Sequence, residues 1–404
     1  MSCRNLLRNR RRTTITLLGL VVGLTAVNIF QGYTKDALEG LRDAAIKGEM
    51  LGHVILFKKD ALTLGKLNED AYLFTGDEIA TIQQKLAGLD AIEFTAPKLN
   101  ISGLITNGEA SLIFFGVGID PAQYRRFRQS FIYQGSGTQL SPERPIGGQI
   151  AEGLAQILKL KVGDLAVLFS VTVKSRMNAV DVLVSGLYNT GTVATNDKYV
   201  LVPLSLARKL YDTDGAHEIS ILLRKDADEA RARQLIRDRL ADTGLKLDVY
   251  SWQERSSFYT SVSQLYDMIF GFLFLIVLIV AGMGMLNTMT MAVMERIPEI
   301  GVLRALGMRR AGVYRLFMAE GFLLGALGSI LAALVTILIS SLINGLAITY
   351  VPPSLSDAVR LNVEMDFTLI GANGLAIAIL SSLVSFFPAR YAARRDIAAA
   401  LQHA

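Results

Sequence analysis

Cysteine is nearly missing from this chain of 404 residues; Cys3 is the only one. No intrachain disulfide can form, so every folded part stands on packing alone. Histidine is almost as scarce: His53, His217 and His403 are the only three. None stands in metal-ligand spacing with another His or Cys, and each reads as a surface or packed histidine. No G-x-x-x-x-G-K-[ST] phosphate loop occurs, which argues against ATP hydrolysis by these residues. No G-x-S-x-G elbow accompanies the serines, so a nucleophilic hydrolase has no visible site. Asp164 and Asp197 are lone acids in turn contexts. Charge is also thin, at 19% of residues, against about a quarter in soluble domains.

What fills the space is apolar. The hydrophobic fraction is 51% and the mean hydropathy +0.38, concentrated in four uncharged stretches long enough for the roughly 20 helical residues a bilayer needs. The spacing predicts membrane helices at 13–34, 268–294, 316–349 and 367–389. The third stretch is uncharged from Gly321 to Ser356, and Tyr350, Pro352 and Pro353 mark its exit into a loop at 350–366. The first has the basic lead of a signal peptide. Its apolar run is longer than a usual h-region and no clear A-x-A-like site follows, so it reads as a retained helix.

Arginine sets the orientation. Arg4, Arg8, Arg10, Arg11 and Arg12 precede the first stretch. Arg296, Arg304, Arg309, Arg310 and Arg315 lie between the second and third, and Arg390, Arg394 and Arg395 follow the fourth. The short segments 1–12, 295–315 and 390–404 are therefore expected in the cytoplasm and residues 35–265 outside it. The net charge of +5 is accounted for by these flanks, not by nucleic-acid binding. The fold expected is an α-helical membrane protein with four transmembrane helices and a large mixed α/β extracytoplasmic (periplasmic) domain inserted between helices 1 and 2.

Within that domain, residues 52–57, 112–119, 167–173, 180–188 and 198–204 read as strands, rich in β-branched and aromatic residues. Thr75 followed by Glu78 is a capping box opening a helix over 77–86, and 205–211 and 227–244 also read as helices. A boundary between two α/β lobes is expected near Gly135-Ser136-Gly137. The flanks 35–48 and 253–267 are polar and helix-compatible, so the first two membrane helices are expected to continue outward as stalks.

The distinctive segment is the loop 294–321. Pro298 suits a first helical turn and Gly307 a left-handed cap, with Ile300, Leu303 and Leu306 spaced along one side. Glu295 and Glu299 sit near the positive end of that helix and Arg304 near the negative end. Such a helix suits either docking into a partner's groove or lying on lipid. Gly19 with Gly23, and Gly321 with Gly325, make small-xxx-small faces that allow close helix packing. No span carries a charge near its middle, which speaks against a proton relay or ion-coupled transporter, and four spans are too few for the usual inverted-repeat transporter.

At this loop, Glu295-Arg296-x-x-Glu299-Ile300-Gly301-Val302-Leu303-Arg304-Ala305-Leu306-Gly307 resembles the signature of the MacB/FtsX-like ABC permeases. The similarity extends to Glu320-Gly321, Gly325, Pro388-Ala389-Arg390 and Ala393-Arg394, and outside the membrane to residues 148–164. Residues 184–210 look closest to the lipoprotein-releasing branch. Pro298 departs from the pattern, standing where relatives carry a polar or basic residue. The resemblance implies a permease that pairs with a second copy or a paralogue and docks, through Glu295, Glu299, Ile300, Leu303, Arg304, Leu306 and Gly307, on a separate ABC ATPase dimer. That ATPase would hold ATP and Mg, with no cofactor in this chain. It also implies a bacterial inner membrane location with both termini cytoplasmic, contact with membrane lipid, and extraction or export of lipoproteins or another lipophilic envelope substrate. A lipoprotein carrier or a periplasmic adaptor would then be a further partner. Alternatives are an efflux permease working with such an adaptor, a regulator of a cell-envelope hydrolase, or a membrane-anchored enzyme, the last disfavoured because no catalytic constellation is visible.

Overall fold

The computed structural model describes residues 10–65, 68–129, 135–351 and 358–394. Cys3, Arg4, Arg8, Pro352, Pro353, Arg395 and His403 lie outside the described residues, as do the side chains of Arg10, Arg11 and Arg12. The chain divides into two compact units. One comprises Met1–Leu38, Val262–Thr349 and Arg360–Ala404, and the other Glu39–Ser261 and Tyr350–Val359.

The first helix, α1 (Arg10–Asp43), has 34 residues. At 1.5 Å per residue it is about 50 Å long, well beyond the roughly 30 Å of hydrocarbon it would cross. Apolarity marks only the membrane portion, which is why hydropathy alone stops at residue 34. The helix does not run on to Gly48 as an α-helix: Ala44–Gly48 is a π-helical turn whose Ala45 and Ile46 are buried.

The outer unit follows, as β1 (Val54–Lys58), α2 (Gly76–Leu86), β2 (Ile92–Thr106), β3 (Ser111–Ile119), α3 (Pro121–Gln129), β4 (Gly135–Gly137), β5 (Gly147–Ala151), α4 (Glu152–Ile157), β6 (Leu165–Val171), β7 (Met177–Tyr188), β8 (Tyr199–Pro203), α5 (Leu204–Tyr211), β9 (Glu218–Leu223), α6 (Glu229–Ala241) and β10 (Leu247–Ser251). The capping box is present as expected. Thr75 Oγ1 accepts from Glu78 N at 3.3 Å, and Thr75 N donates to Glu78 Oε2 at 2.8 Å.

Strand β2, 15 residues long, organises the unit. Its first half pairs with β9 and its last three residues pair with β6. Its other edge pairs with β3 from Lys98 to Thr106. From β3 the pairing runs through β8, β5 and β7 to β6 and so back to β2, closing a ring of six strands. Off the first half of β2, strands β9, β1 and β10 form an antiparallel extension. Two cores result. Ile101, Ile105, Phe114, Leu168, Val182 and Val200 belong to the barrel core. The extension packs Val54, Leu56, Ile219 and Ile221 against Ile79 and Ile82 of α2 and Ile236 and Leu240 of α6. The period-2 pleat lets β1 serve both, with Ile55 and Phe57 turned to the first core.

The expected lobe boundary at Gly135–Gly137 is therefore wrong. That stretch is a strand, paired with β7 from Gly135↔Tyr188 to Gly137↔Gly186. The division runs instead between the barrel, made from the middle of the segment, and the extension, made from both its ends. Where β2 meets β9, Lys98 is almost wholly buried: its Nζ lies 2.6 Å from Glu218 Oε1 and donates to Met50 O at 2.9 Å.

His53, just before β1, accepts the Leu223 N–H on Nδ1 at 3.1 Å. Burial holds its pKa below the ordinary imidazole value; Glu229 opposes this, and Arg42 and Lys47 reinforce it. A folded pKa below the unfolded value means that the unfolded chain takes up the proton first. This stabilisation is complete above about pH 6.5 and is lost as the pH falls through that value towards the folded pKa. The thermal midpoint of the chain in nanodiscs is expected to fall from pH 7.5 to 5.5, with a shallower fall in His53→Gln. Equal slopes for the two proteins would refute this.

The chain then continues as α7 (Ser257–Met294), α8 (Ile297–Ala305), α9 (Arg310–Leu346) and α10 (Phe367–Ala393). With α1, the helices α7, α9 and α10 are long and apolar enough to cross a membrane.

Candidate coupling face and membrane helix packing

Helix α8 forms where the loop was read as helical. Pro298 lies in its first turn, where a missing N–H costs nothing. Beyond its end Gly307 adopts φ +99°, Gly307 N donates to Arg304 O at 3.1 Å and Met308 N to Leu303 O at 3.0 Å, a left-handed stop.

One side of α8 is turned inward. Ile300 and Gly301 are buried, Ile300 in a cluster with Val293, Val313, Phe317, Ala389 and Ala392. Both ends are braced. Arg296 Nη1 donates to both oxygens of Glu320 on α9, at 3.0 and 3.2 Å, and Glu320 is only 7% exposed. Arg304 Nη1 donates to the Ala393 carbonyl of α10 at 2.9 Å. The exposed side carries Glu295, Glu299, Val302, Leu306 and Gly307, with Leu306 81% exposed.

The residues proposed for docking therefore divide. Ile300 packs inward, Leu303 and Arg304 are half-buried, and the Arg304 guanidinium holds the chain's own backbone. Ile300 and Leu306 do not share a side as their spacing predicted. Six residues carry Leu306 about 120° round a 3.6-residue helix from Ile300, and it falls instead beside exposed Val302, four residues before it. Val302 was missed; its exposure follows from lying two residues from buried Ile300, on the opposite side of the helix.

Between α9 and α10 the packing is close. A Cβ at Gly321 would overlap Ser385 Oγ and lie 2.6 Å from Ser381 O, and at Gly325 it would lie 2.8 Å from Ser381 Cβ. On α1 the pair splits: a Cβ at Gly23 would meet Val277 of α7 at 3.3 Å, whereas one at Gly19 would meet nothing within 4 Å.

A second feature of α1 went unread. Thr25, Asn28, Gln31 and Lys35 recur about once per turn and all face α9, α10 or the lead-in to α10. Thr25 Oγ1 donates to Ala332 O at 3.3 Å, and Asn373 Nδ2 donates to Asn28 Oδ1 at 3.0 Å and Gln31 Oε1 at 2.8 Å. Lys35 Nζ lies 2.7 Å from Glu364 and 2.9 Å from Asp366. A search for charge alone passes over such a stripe; its helical period was the available signal. Among the described residues, no group of three His, Cys, Asp or Glu side chains has the arrangement of a metal site. His217 Nε2 lies 2.7 Å from Glu69 Oε1.

Comparison with known proteins gives this geometry a context. Residues 13–239 match the MacB-like periplasmic core domain, and residues 271–397 match the FtsX-like permease C-terminal domain. The pyoverdine export ATP-binding/permease protein PvdT of Pseudomonas putida is 25% identical over 97% of this chain and 57% of its own length. An uncharacterized ABC transporter permease of Methanocaldococcus jannaschii is 22% identical over 97% of this chain and 94% of its own. The lipoprotein-releasing system transmembrane protein LolC of Xylella fastidiosa is 25% identical over 63% and 64% respectively. The chain thus spans little more than half the length of the export proteins it matches. With its two halves covered in this order, the chain belongs to the family of permeases that join a MacB-like periplasmic core to an FtsX-like membrane domain.

Proposed function

We propose that this chain is the membrane-spanning permease part of an ABC complex that carries the motion of an ATP-binding unit to the outer α/β domain. Its task on this reading is to extract or export lipoproteins or another lipophilic envelope substrate. The single observation that supports it best is α8, braced at both ends while presenting Glu299, Val302 and Leu306 outward. A helix fixed to two membrane helices passes a push to both instead of absorbing it.

ATP and Mg are assigned to the ATP-binding unit, outside these 404 residues, and the permease works as a pair with a second copy or a paralogue. Arginine at the short flanks supports a cytoplasmic side for α8 and both termini, and a bacterial inner membrane is the location that goes with this reading. Efflux through a periplasmic adaptor is the second reading, favoured by the export names of the pyoverdine relatives.

The test is a pull-down of the tagged chain in mild detergent with nucleotide present. Recovery of a stoichiometric ATP-binding subunit is expected, together with its loss in Leu306→Asp, which leaves membrane insertion intact. A copurifying lipoprotein carrier would name the first branch and an adaptor the second. Recovery of the chain alone would overturn the reading.

A further inference from the structure

Helix α6 turns three polar side chains one turn apart, Glu229, Arg233 and Arg237, to the stretch Val249–Glu254 that leads into α7. Trp252 Nε1 donates to Glu229 Oε2 at 3.2 Å. Arg233 Nη2 donates to Val249 O and Glu254 Oε1, both at 3.1 Å, and Arg237 Nη2 donates to Val249 O at 3.3 Å. The adjoining row, Ala232, Ile236 and Leu240, is buried against the sheet. Asp228 caps the helix by accepting from Ala230 N and Arg231 N, which fixes the backbone at Glu229.

Glu229 also reaches the other way. Its Oε1 accepts from Arg42 Nη2, in the last turn of α1. The indole it holds on Oε2 is 1% exposed and lies edge-on to Tyr259 of α7, with ring centroids 4.5 Å apart. One carboxylate, its two oxygens divided, thus touches the end of one long helix and the lead-in to the other. The fold does not depend on it for joining them, because β1 and β10 already pair in register from Val54↔Ser251. The Arg42–Glu229 pair is also half-exposed, with 44% and 31% of the two side chains accessible, a setting in which ion pairs add little stability.

We infer that Glu229 is a positioning residue that holds the end of α1 and the lead-in to α7 in one fixed relation, so that movement along either helix reaches α6 as a single displacement. This rests on the transport reading above. The experiment places spin labels at Glu39→Cys and Ser261→Cys in the full chain, with Cys3→Ser, in nanodiscs, and measures their distance distribution by double electron–electron resonance. The unsubstituted protein is expected to give one narrow peak. Glu229→Gln and Arg42→Gln should each at least double its width. The double variant should be no broader than either, because each single change already breaks the same tie. Thermal midpoints should stay within about 2 °C of the parent. An unchanged width in Glu229→Gln, or additive broadening in the double variant, overturns the inference. Failure of the transport reading would show separately, as absence of an ATP-binding subunit and a parent distance indifferent to nucleotide, and would leave the comparison of widths standing.

Discussion

Lys98→Ala is expected to cost the outer unit about 3–5 kcal/mol, because it leaves the buried Glu218 carboxylate without its partner. Set against a typical domain stability of about 5–15 kcal/mol, that loss is enough to cut the yield of folded protein sharply. Removing both charges is expected to be far milder. Lys98→Met with Glu218→Leu puts apolar volume where the pair was, and such exchanges are often neutral. The double variant does not return fully to the parent, since Met50 O also loses the donor that Lys98 supplies, at about 1 kcal/mol. Thermal unfolding of the purified chain decides the matter. A Lys98→Ala midpoint equal to that of the parent would show that Glu218 finds solvent or another partner.

The second large effect is expected at Glu320. Glu320→Ala strands Arg296 at the first turn of α8, at the foot of a membrane helix where charge has little else to bind. A loss of about 3 kcal/mol corresponds to roughly a hundredfold drop in the equilibrium constant for the braced pose, read, on the proposed function, as weaker binding of the ATP-binding unit to purified permease. Glu320→Gln keeps one acceptor for the guanidinium and should fall between the two. Membrane insertion should be unchanged in both, because Glu320 stands just before the uncharged run of α9 that begins at Gly321. Binding of parent strength in Glu320→Ala would mean that Arg304 and the buried Ile300 hold α8 unaided.

The parts legible in the sequence are those governed by local rules. Long uncharged runs gave away the membrane helices, Thr75 and Glu78 the cap of α2, and Pro298 and Gly307 the limits of α8. Strands β1, β3, β6, β7 and β8, rich in β-branched or aromatic residues, were found within a few positions, whereas β5, β9 and β10 were not read. Strand β2 escaped because Pro97, Lys98 and Asn100 look like loop, and their places are set by β9 and β3, far along the chain. The same non-locality hid the true division of the outer unit. At α8 the composition left docking and lying on lipid both open, and the resemblance counted Ile300 and Arg304 among contact residues. Which side chains face out depends on α9 and α10, and these two pack inward or brace the chain's own backbone. Glu229 carries no local signal at all; its role comes from Arg42 and Trp252 arriving from opposite ends of the domain.

The extension β9–β1–β10 has a consequence for how the molecule is made. Strand β1 emerges early from the ribosome, yet Val54 finds Ser251 only about 200 residues later, an interval of roughly 10–40 s at ordinary rates of synthesis. Until β9 is made both edges of β1 are open, and the edge that takes β10 stays open for the whole wait, the exposure that invites pairing with a neighbouring nascent chain. The barrel, built from the intervening strands, can close in the meantime, so the last event in making the outer domain is the capture of its oldest strand by its two youngest.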